Sequence, residues 1–153
     1  MPESIVIVAA RRTPIGGFQG IFSPVSATQL GSFAAAAALA DSGLSPDAID
    51  EVIFGCVLPA GLGQAPARQA AVGAGIALSV PATTVNKMCG SGMKAVMLAA
   101  DQIRAGSARA ILAGGLESMT NAPYLMLKAR AGYRMGHAEI YDHMFYDGLQ
   151  SPW

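Results

Sequence analysis

The hydrophobic residues of this chain fall into short continuous runs and longer stretches with helical spacing. Short apolar runs rich in β-branched residues predict buried strands, whereas longer alanine-rich stretches predict helices. The predicted strands are residues 4–10, 51–58, 82–86 and 109–114, and the predicted helices are residues 26–41, 65–74 and 89–105, with one helical turn at residues 45–47. Since strands and helices alternate, we expect an α/β fold with a mixed, mostly parallel sheet and helices on both faces.

Signals at the helix ends and within the helices refine this prediction. Ser26 is a suitable N-cap for the first helix, and Gly43 is a natural stop. In the helix that follows Cys89, residues 95–100 are apolar on every side. A helix without a polar face is normally buried all round, so we expect this helix to lie in a middle layer of the fold.

The last part of the chain differs in composition from the rest. Residues 1–120 contain four aromatic residues, whereas residues 121–153 contain six, and clear strand–helix alternation stops there. We therefore expect an α/β domain in residues 1–120 and an excursion from it in residues 121–153. Excursions of this length are usually functional or disordered.

Composition limits the classes of function. Hydrophobic residues make up 52% of the chain and charged residues 13%, against an average of about 25% charged. So little charge predicts a chain that buries much of its surface against further chain or other subunits. The net charge is zero and the charges are scattered singly, which argues against a nucleic-acid partner or a polybasic membrane tether. We expect a soluble, cytoplasmic protein for three reasons. The chain has only two cysteines, its N-terminus does not resemble a leader peptide, and no apolar run approaches the roughly 18 residues that span a bilayer.

Cys89 is the strongest candidate for chemistry. It lies where a predicted strand leads into a helix N-terminus, at which unpaired N–H groups and the helix dipole stabilise a thiolate. Gly90 and Gly92 leave the first turn open to a bulky electrophile, and Lys87 and Lys94 add positive charge. These features favour a nucleophile that takes up an acyl group over the alternative of a cysteine that packs as a small hydrophobe.

The other titratable residues are weaker candidates. Cys56 lies within a predicted apolar strand, and we expect it to pack in the core. His137 and His143 lie in the excursion, and we interpret them as loop or surface histidines. The irregular spacing of the acidic residues around them argues against a metal site. We therefore expect neither a metal nor a cofactor.

Five segments of the chain resemble those of thiolases and occur in the order found in that family. The segment around Cys89 is similar to the family's active-site cysteine motif, and the resemblance extends over essentially the whole chain. The segments are Ala-Arg-Arg-Thr-Pro-Ile-Gly (10–16), Pro-Ala-Gly-Leu-Gly-Gln-Ala-Pro-Ala-Arg-Gln (59–69), Asn-Lys-Met-Cys-Gly-Ser-Gly-Met-Lys-Ala (86–95), Ala-Gly-Gly-Leu-Glu-Ser-Met-Thr-Asn-Ala-Pro (113–123) and Tyr-Asp-Gly-Leu (146–149).

The resemblance implies a fold and an activity. Thiolases have two similar halves stacked in five layers, with the cysteine helix central and an inserted loop domain over the active site, to whose start residues 121–153 correspond. The implied activity is acetyl transfer between coenzyme A thioesters, with acetyl-CoA and acetoacetyl-CoA as substrates. Cys89 would form the acyl thioester and donate its own N–H to the oxyanion, and Leu149 would line the pantetheine channel. A homodimer or homotetramer is expected of the full-length protein.

The chain also departs from the family pattern. It stops within the loop domain, and the Gly-His-Pro, Asn-Glu-Ala-Phe and Cys-x-Gly-Gly-Gly motifs of the family's second half do not occur in it. We therefore expect the chain alone to be unable to complete the reaction cycle. One alternative is a non-catalytic, truncated remnant that acts as a subunit-association domain. Another is a condensing enzyme of the ketoacyl synthase type, which shares the fold, but the residues around Cys89 argue against it.

Overall fold

A computed structural model describes residues 4–153 of the chain. The predicted helices and three of the four predicted strands are present, with ends shifted by a few residues. The helices are α1 (Ala27–Ser42), α2 (Pro66–Gly73) and α3 (Ser91–Arg104), the strands are β1 (Glu51–Gly55), β2 (Ala82–Val85), β3 (Ile111–Gly115), β4 (Tyr124–Leu125) and β5 (Tyr141–Asp142), and the short helical turns are Pro46–Ala48, Ala129–Ala131 and the π-helical Met144–Leu149.

The strands β1, β2 and β3 form a parallel sheet with β1 in the middle, in the order β2-β1-β3. The connection through α2 leads outward from β1 to β2, and the connection through α3 runs back across β1 to β3. Right-handed crossovers in opposite directions require helices on opposite faces. Accordingly, Val52 and Phe54 of β1 pack with α1 and α2, whereas Ile53 packs with α3. The predicted α/β fold with helices on both faces is confirmed.

The ends of α1 follow from local sequence. Ser26 Oγ accepts the N–H of Gln29 at 3.2 Å, and Gln29 Oε1 accepts the N–H of Ser26 at 2.9 Å, which together form a capping box. Gly43 ends the helix in the left-handed region with φ of 69°. Both predicted end signals of this helix are therefore confirmed.

Residues 4–10 do not form the strand that their apolar pattern predicts. Val6, Ile7 and Val8 are 67%, 79% and 62% exposed, and within the described part of the chain this segment pairs with no strand. Ladder hydrogen bonds must come from a neighbouring strand, and β propensity cannot supply that neighbour. The prediction of a strand buried on both faces is wrong for this reason.

Helix α3 is buried on one side only. Ala95 and Ala99 are buried against the sheet, whereas Met93 and Met97 are 72% and 53% exposed. The prediction of a helix buried all round is therefore wrong for residues 4–153, because the sheet covers one side of α3 and no other described element covers the opposite side.

After β3 the chain leaves the sheet. β4 and β5 pair antiparallel and hold the two ends of an intervening loop together. The boundary between residues 120 and 121 remains a prediction. Across residues 4–153, no helix has both the length and the apolar character needed to cross a membrane.

Candidate active site

A cleft of about 410 Å³ opens at the carboxyl ends of the parallel strands. Its wall includes Gly55 and Gly115 at the ends of β1 and β3, Cys89 just before α3, and Leu149 from the excursion. The structure thus brings together the two site residues predicted from sequence, which lie sixty positions apart. Ligands of open parallel sheets usually bind at this edge.

Cys89 lies on a tight turn between β2 and α3, and it is exposed. The residue before it, Met88, has φ of 49°, a left-handed conformation that is uncommon outside glycine. Asn86 Oδ1 accepts the N–H of Met88 at 2.9 Å. Ser91 Oγ accepts the N–H of Lys87 at 2.8 Å and donates to the carbonyl of Met88 at 2.6 Å. Side chains on both sides of the thiol therefore hold the turn in place.

The start of α3 approaches the strand ends closely. A Cβ built on Gly55 would lie 2.4 Å from the carbonyl carbon of Ser91, which is too short for any side chain. Glycine at the end of β1 therefore lets α3 begin directly above the sheet. Gly55 and the first turn of α3 therefore lie together in the wall of the cleft that also contains Cys89.

The backbone N–H of Cys89 is available as a hydrogen-bond donor. The N-cap of α3, Gly90, has no side chain to accept from the first turn. Among residues 4–153, no acceptor lies within hydrogen-bonding distance and angle of the Cys89 N–H. An N–H of this kind beside a nucleophile can donate to a developing oxyanion.

Glu117 is a cleft residue to which the sequence analysis gave no role. Its carboxylate accepts the N–H of Val57 at 2.8 Å and that of Leu58 at 3.0 Å, so it joins the end of β3 to the segment after β1. These bonds explain why the predicted strand 51–58 ends early: the Cys56 N–H still donates to the carbonyl of Val85 at 3.0 Å, but the N–H groups of Val57 and Leu58 turn to a side chain. A single carboxylate in an otherwise apolar segment was the only sign in the sequence that Glu117 has a specific role. The sequence could not identify that role, because the N–H groups that Glu117 binds lie about 60 positions earlier.

Cys56 is buried, with 2% exposure, so its predicted core position is confirmed, although it follows β1 rather than lying within it. Burial is the main cause that raises the pKa of the Cys56 thiol to about 12, from an ordinary value of 9.0. The negative charge of Glu117 and a 3.7 Å hydrogen bond from Sγ to Oε1 of Glu117 act in the same direction. Cys56 is therefore a thiol, not a thiolate, at neutral pH.

His143 is not a surface histidine, contrary to the prediction. It is 4% exposed, and its ring lies between Asp147 in its own segment and the N–H of Ala60 in the loop after β1. The sequence prediction was wrong because the residue that pairs with Nε2 lies 83 positions earlier. His137 is exposed in the loop between β4 and β5, as expected.

No group of three or more His, Cys, Asp and Glu residues among those described is arranged to hold a metal ion. Lys87 and Lys94, which flank Cys89 in sequence, do not line the cleft. Its wall is mainly apolar, with Glu117 and the Cys89 thiol as ionisable groups.

Comparison with known proteins identifies the family of the chain. Residues 5–152 match the family described as thiolase, N-terminal domain, so the chain belongs to the thiolase family. The resemblance seen in the sequence motifs is thereby confirmed.

Several curated relatives are similar to this chain along nearly all of its length. Acetyl-CoA acetyltransferase 2 of Arabidopsis thaliana is 55% identical over 148 residues, which are 97% of this chain and 37% of that protein. The acetyl-CoA acetyltransferase of Pseudomonas aeruginosa is 52% identical over 147 residues, or 96% of this chain and 37% of that protein. The acetyl-CoA acetyltransferase of Cupriavidus necator is 51% identical over 145 residues, or 95% and 37%. The chain therefore spans little more than a third of these relatives.

Proposed function

We propose that this chain carries the acyl-accepting half of an acetyl-CoA acetyltransferase site, with Cys89 as the nucleophile. The observation that carries the proposal is the exposed thiol on a braced turn at the mouth of an apolar cleft, in a chain of the thiolase family. Its relatives are acetyl-CoA acetyltransferases, and their activity supplies the proposed substrate class.

The first step is transfer of an acetyl group from coenzyme A to the protein. The Cys89 thiolate attacks the thioester carbonyl carbon, and a tetrahedral oxyanion forms that the Cys89 N–H stabilises. The intermediate collapses with cleavage of the bond to the coenzyme A sulfur. Coenzyme A leaves as a thiolate that takes up a proton, and the acetyl group remains on Sγ of Cys89.

The cleft suits the arm of coenzyme A that carries the acetyl group. Met88, Met119 and Leu149 contribute apolar surface to its wall, and flexible methionine side chains adapt to a narrow, mostly apolar ligand. Leu149 lies on the excursion, and we assign it to the binding of this arm. This acyl transfer requires no metal and no resident cofactor.

The second step is attack of a carbanion, formed from another acetyl-CoA, on the acetyl group of Cys89. A base must first take a proton from the methyl carbon of this second acetyl-CoA, beside the acetyl group on Cys89. The resulting carbanion forms the new carbon–carbon bond, the bond to Sγ breaks, and acetoacetyl-CoA and the Cys89 thiolate are released. Among the described residues that line the cleft, Glu117 and Cys89 are the ionisable ones, and the Glu117 carboxylate already accepts two backbone N–H groups. His143 lies behind this wall, and both of its ring nitrogens have partners. We therefore assign the condensing base to protein outside this chain.

We extend the proposal to assembly and compartment. The exposed apolar side of α3 supports association, and we propose a homodimer or homotetramer for the complete protein. We propose a reducing compartment such as the cytoplasm, because both cysteines are free thiols. We also propose a role in fatty acid metabolism, because the proposed substrates are acetyl-CoA and acetoacetyl-CoA. Residues 121–153 would serve as the start of a cover over the cleft.

Mass spectrometry after incubation with acetyl-CoA tests the proposed function. We expect one acetyl group per chain, located by peptide mapping at Cys89, and none in the Cys89→Ala variant. Cys56→Ala is the matched control and should be acetylated as fast as the parent. Absence of acetylation at Cys89 in folded protein would favour the alternative of a non-catalytic association domain.

A further inference from the structure

We propose that His143 is a positioning residue whose imidazole fastens the segment Met144–Leu149 to the loop after β1 and so keeps Leu149 at the cleft. None of the motif positions that identify the family includes this histidine. The fastening itself follows from contacts within the chain. Its consequence for substrate rests on the proposed function.

The two ring nitrogens of His143 connect two different parts of the chain. Nδ1 lies 2.6 Å from Oδ2 of Asp147, and Nε2 lies 3.3 Å from the backbone nitrogen of Ala60. Because the Ala60 N–H can only donate, Nε2 must accept. Nδ1 therefore carries the proton and donates to the Asp147 carboxylate. In this neutral tautomer, both nitrogens are satisfied at once.

The segment that His143 fastens has unusual backbone geometry. Met144–Leu149 is a π-helix, a rare form that is found frequently at functional sites. Its start is fixed by the His143 N–H, which donates to the carbonyl of Pro123 at 3.1 Å, and by Asp142 Oδ1, which accepts the N–H of Met144 at 2.8 Å. These backbone contacts hold the start of the turn to its own excursion. The imidazole supplies the polar link from this turn to the loop after β1.

The far end of the turn forms the wall of the cleft. Gly148 approaches Leu58 so closely that an added Cβ would lie 3.1 Å from Leu58 Cδ2. Leu58 and Ala60 belong to the same loop after β1, so the turn contacts that loop at two points, through the ring of His143 and through the backbone of Gly148. Loss of the ring would leave only the contact between Gly148 and Leu58. Leu149, which is 52% exposed in the wall of the cleft, would then be held there less firmly.

Four variants test this role. His143→Ala removes both ring contacts, and Asp147→Ala removes the Nδ1 partner at a side chain that is 44% exposed and whose loss should not prevent folding. His143→Gln offers Oε1 to the Ala60 N–H. His137→Ala is the matched control, because His137 is an exposed histidine of the same excursion.

The readouts are amide hydrogen exchange of residues 141–150, alkylation of Cys89 by a bulky maleimide, and the acetyl-CoA dependence of Cys89 acetylation. For His143→Ala we expect exchange and alkylation to be faster by about tenfold, the change that loss of a net hydrogen bond produces. Half-maximal acetylation should need more acetyl-CoA, while the rate at saturation stays near that of the parent. His143→Gln and Asp147→Ala should be intermediate, and His137→Ala should be unchanged.

The outcomes separate the positioning role from the proposed function. Unchanged exchange and alkylation in both His143→Ala and Asp147→Ala would overturn the positioning role, even if Cys89 is acetylated normally. Faster exchange and alkylation in a protein that acetyl-CoA never acetylates would support the positioning role and contradict the proposed function. If His143→Ala does not fold, Asp147→Ala and His143→Gln decide the question by the same readouts.

Discussion

The carboxylate of Glu117 accepts the backbone N–H of Val57 at 2.8 Å, across 60 positions of sequence. This contact joins the segments that follow β3 and β1, and both segments line the cleft that contains Cys89. The same carboxylate accepts the N–H of Leu58, so one side chain replaces the ladder hydrogen bonds that a longer strand would have made.

Removal of this carboxylate should destabilise the fold. Glu117→Ala removes the acceptor of two N–H groups, that of buried Leu58 and that of partly buried Val57, which water in the cleft can reach. We expect the free energy of unfolding to fall by about 1–3 kcal/mol, the cost of one buried unsatisfied group. Glu117→Gln should cost less, because its amide oxygen accepts one of the two N–H groups. Urea unfolding followed by circular dichroism measures both. Equal stability of parent and Glu117→Ala would contradict the structural role.

The two cysteines should differ strongly in reactivity. Cys89 is exposed, whereas Cys56 is 2% exposed and the pKa of its thiol is raised to about 12. A rise of three units lowers the thiolate fraction about 1,000-fold at neutral pH. Iodoacetamide at pH 7 should therefore label Cys89 long before Cys56, as measured by peptide mapping over time. Equal rates in folded protein, checked against equal rates in urea, would disprove the assignment.

The raised pKa of Cys56 also predicts a loss of stability at alkaline pH. The unfolded thiol ionises near pH 9.0, whereas the folded thiol stays protonated to about pH 12, so the unfolded state binds fewer protons between these values. In that window the free energy of unfolding should fall by up to about 1.4 kcal/mol per pH unit. Urea midpoints of parent and Cys56→Ala, compared at pH 8 and above pH 9, measure this contribution as the difference between them. A parallel decline in both proteins would contradict it.

Local interactions explain why much of the fold could be predicted. The capping box of Ser26 and Gln29 and the stop at Gly43 lie within a few residues of α1. The turn at Cys89 is likewise built by neighbours, so a thiol at a strand–helix junction was visible in the sequence. The apolar run at residues 51–58 likewise predicted β1, in which Val52 and Ile53 face opposite sides of the sheet.

The failures concern contacts between distant residues. Residues 4–10 have the composition of a strand, but no described strand pairs with them. His143 has a polar neighbourhood in sequence, yet its ring is buried and accepts the N–H of Ala60, 83 positions earlier. The acceptor role of Glu117 likewise depends on N–H groups about 60 positions earlier. The sequence pattern predicts the local geometry of this site, but not the contacts between residues that are distant in sequence.

Ser91 should control the rate at which Cys89 is acetylated. Its buried hydroxyl bonds to Lys87 and Met88 on the far side of the thiol, and misplacement of a reacting group by about 1 Å can cost about 100-fold in rate. We expect Ser91→Ala to slow acetylation by about 10- to 100-fold. Ser107→Ala, at an exposed serine after α3, is the matched control. Unchanged kinetics of Ser91→Ala would show that the turn holds its shape without the hydroxyl.

The uncovered side of α3 should make the 153-residue chain associate with itself. Met93, Val96 and Met97 are 72%, 42% and 53% exposed on this helix, and contiguous apolar patches beyond a few hundred Å² usually mark association surfaces. Sedimentation velocity should reveal oligomers that grow with protein concentration. The double variant Met93→Gln and Met97→Gln should shift them towards monomer, because polar side chains of similar length remove most of the apolar area. Met135→Gln is the control, since Met135 is 91% exposed but lies in the loop between β4 and β5. A monodisperse parent chain that unfolds cooperatively would contradict the prediction, and association that persists in the double variant would assign it to a surface other than α3.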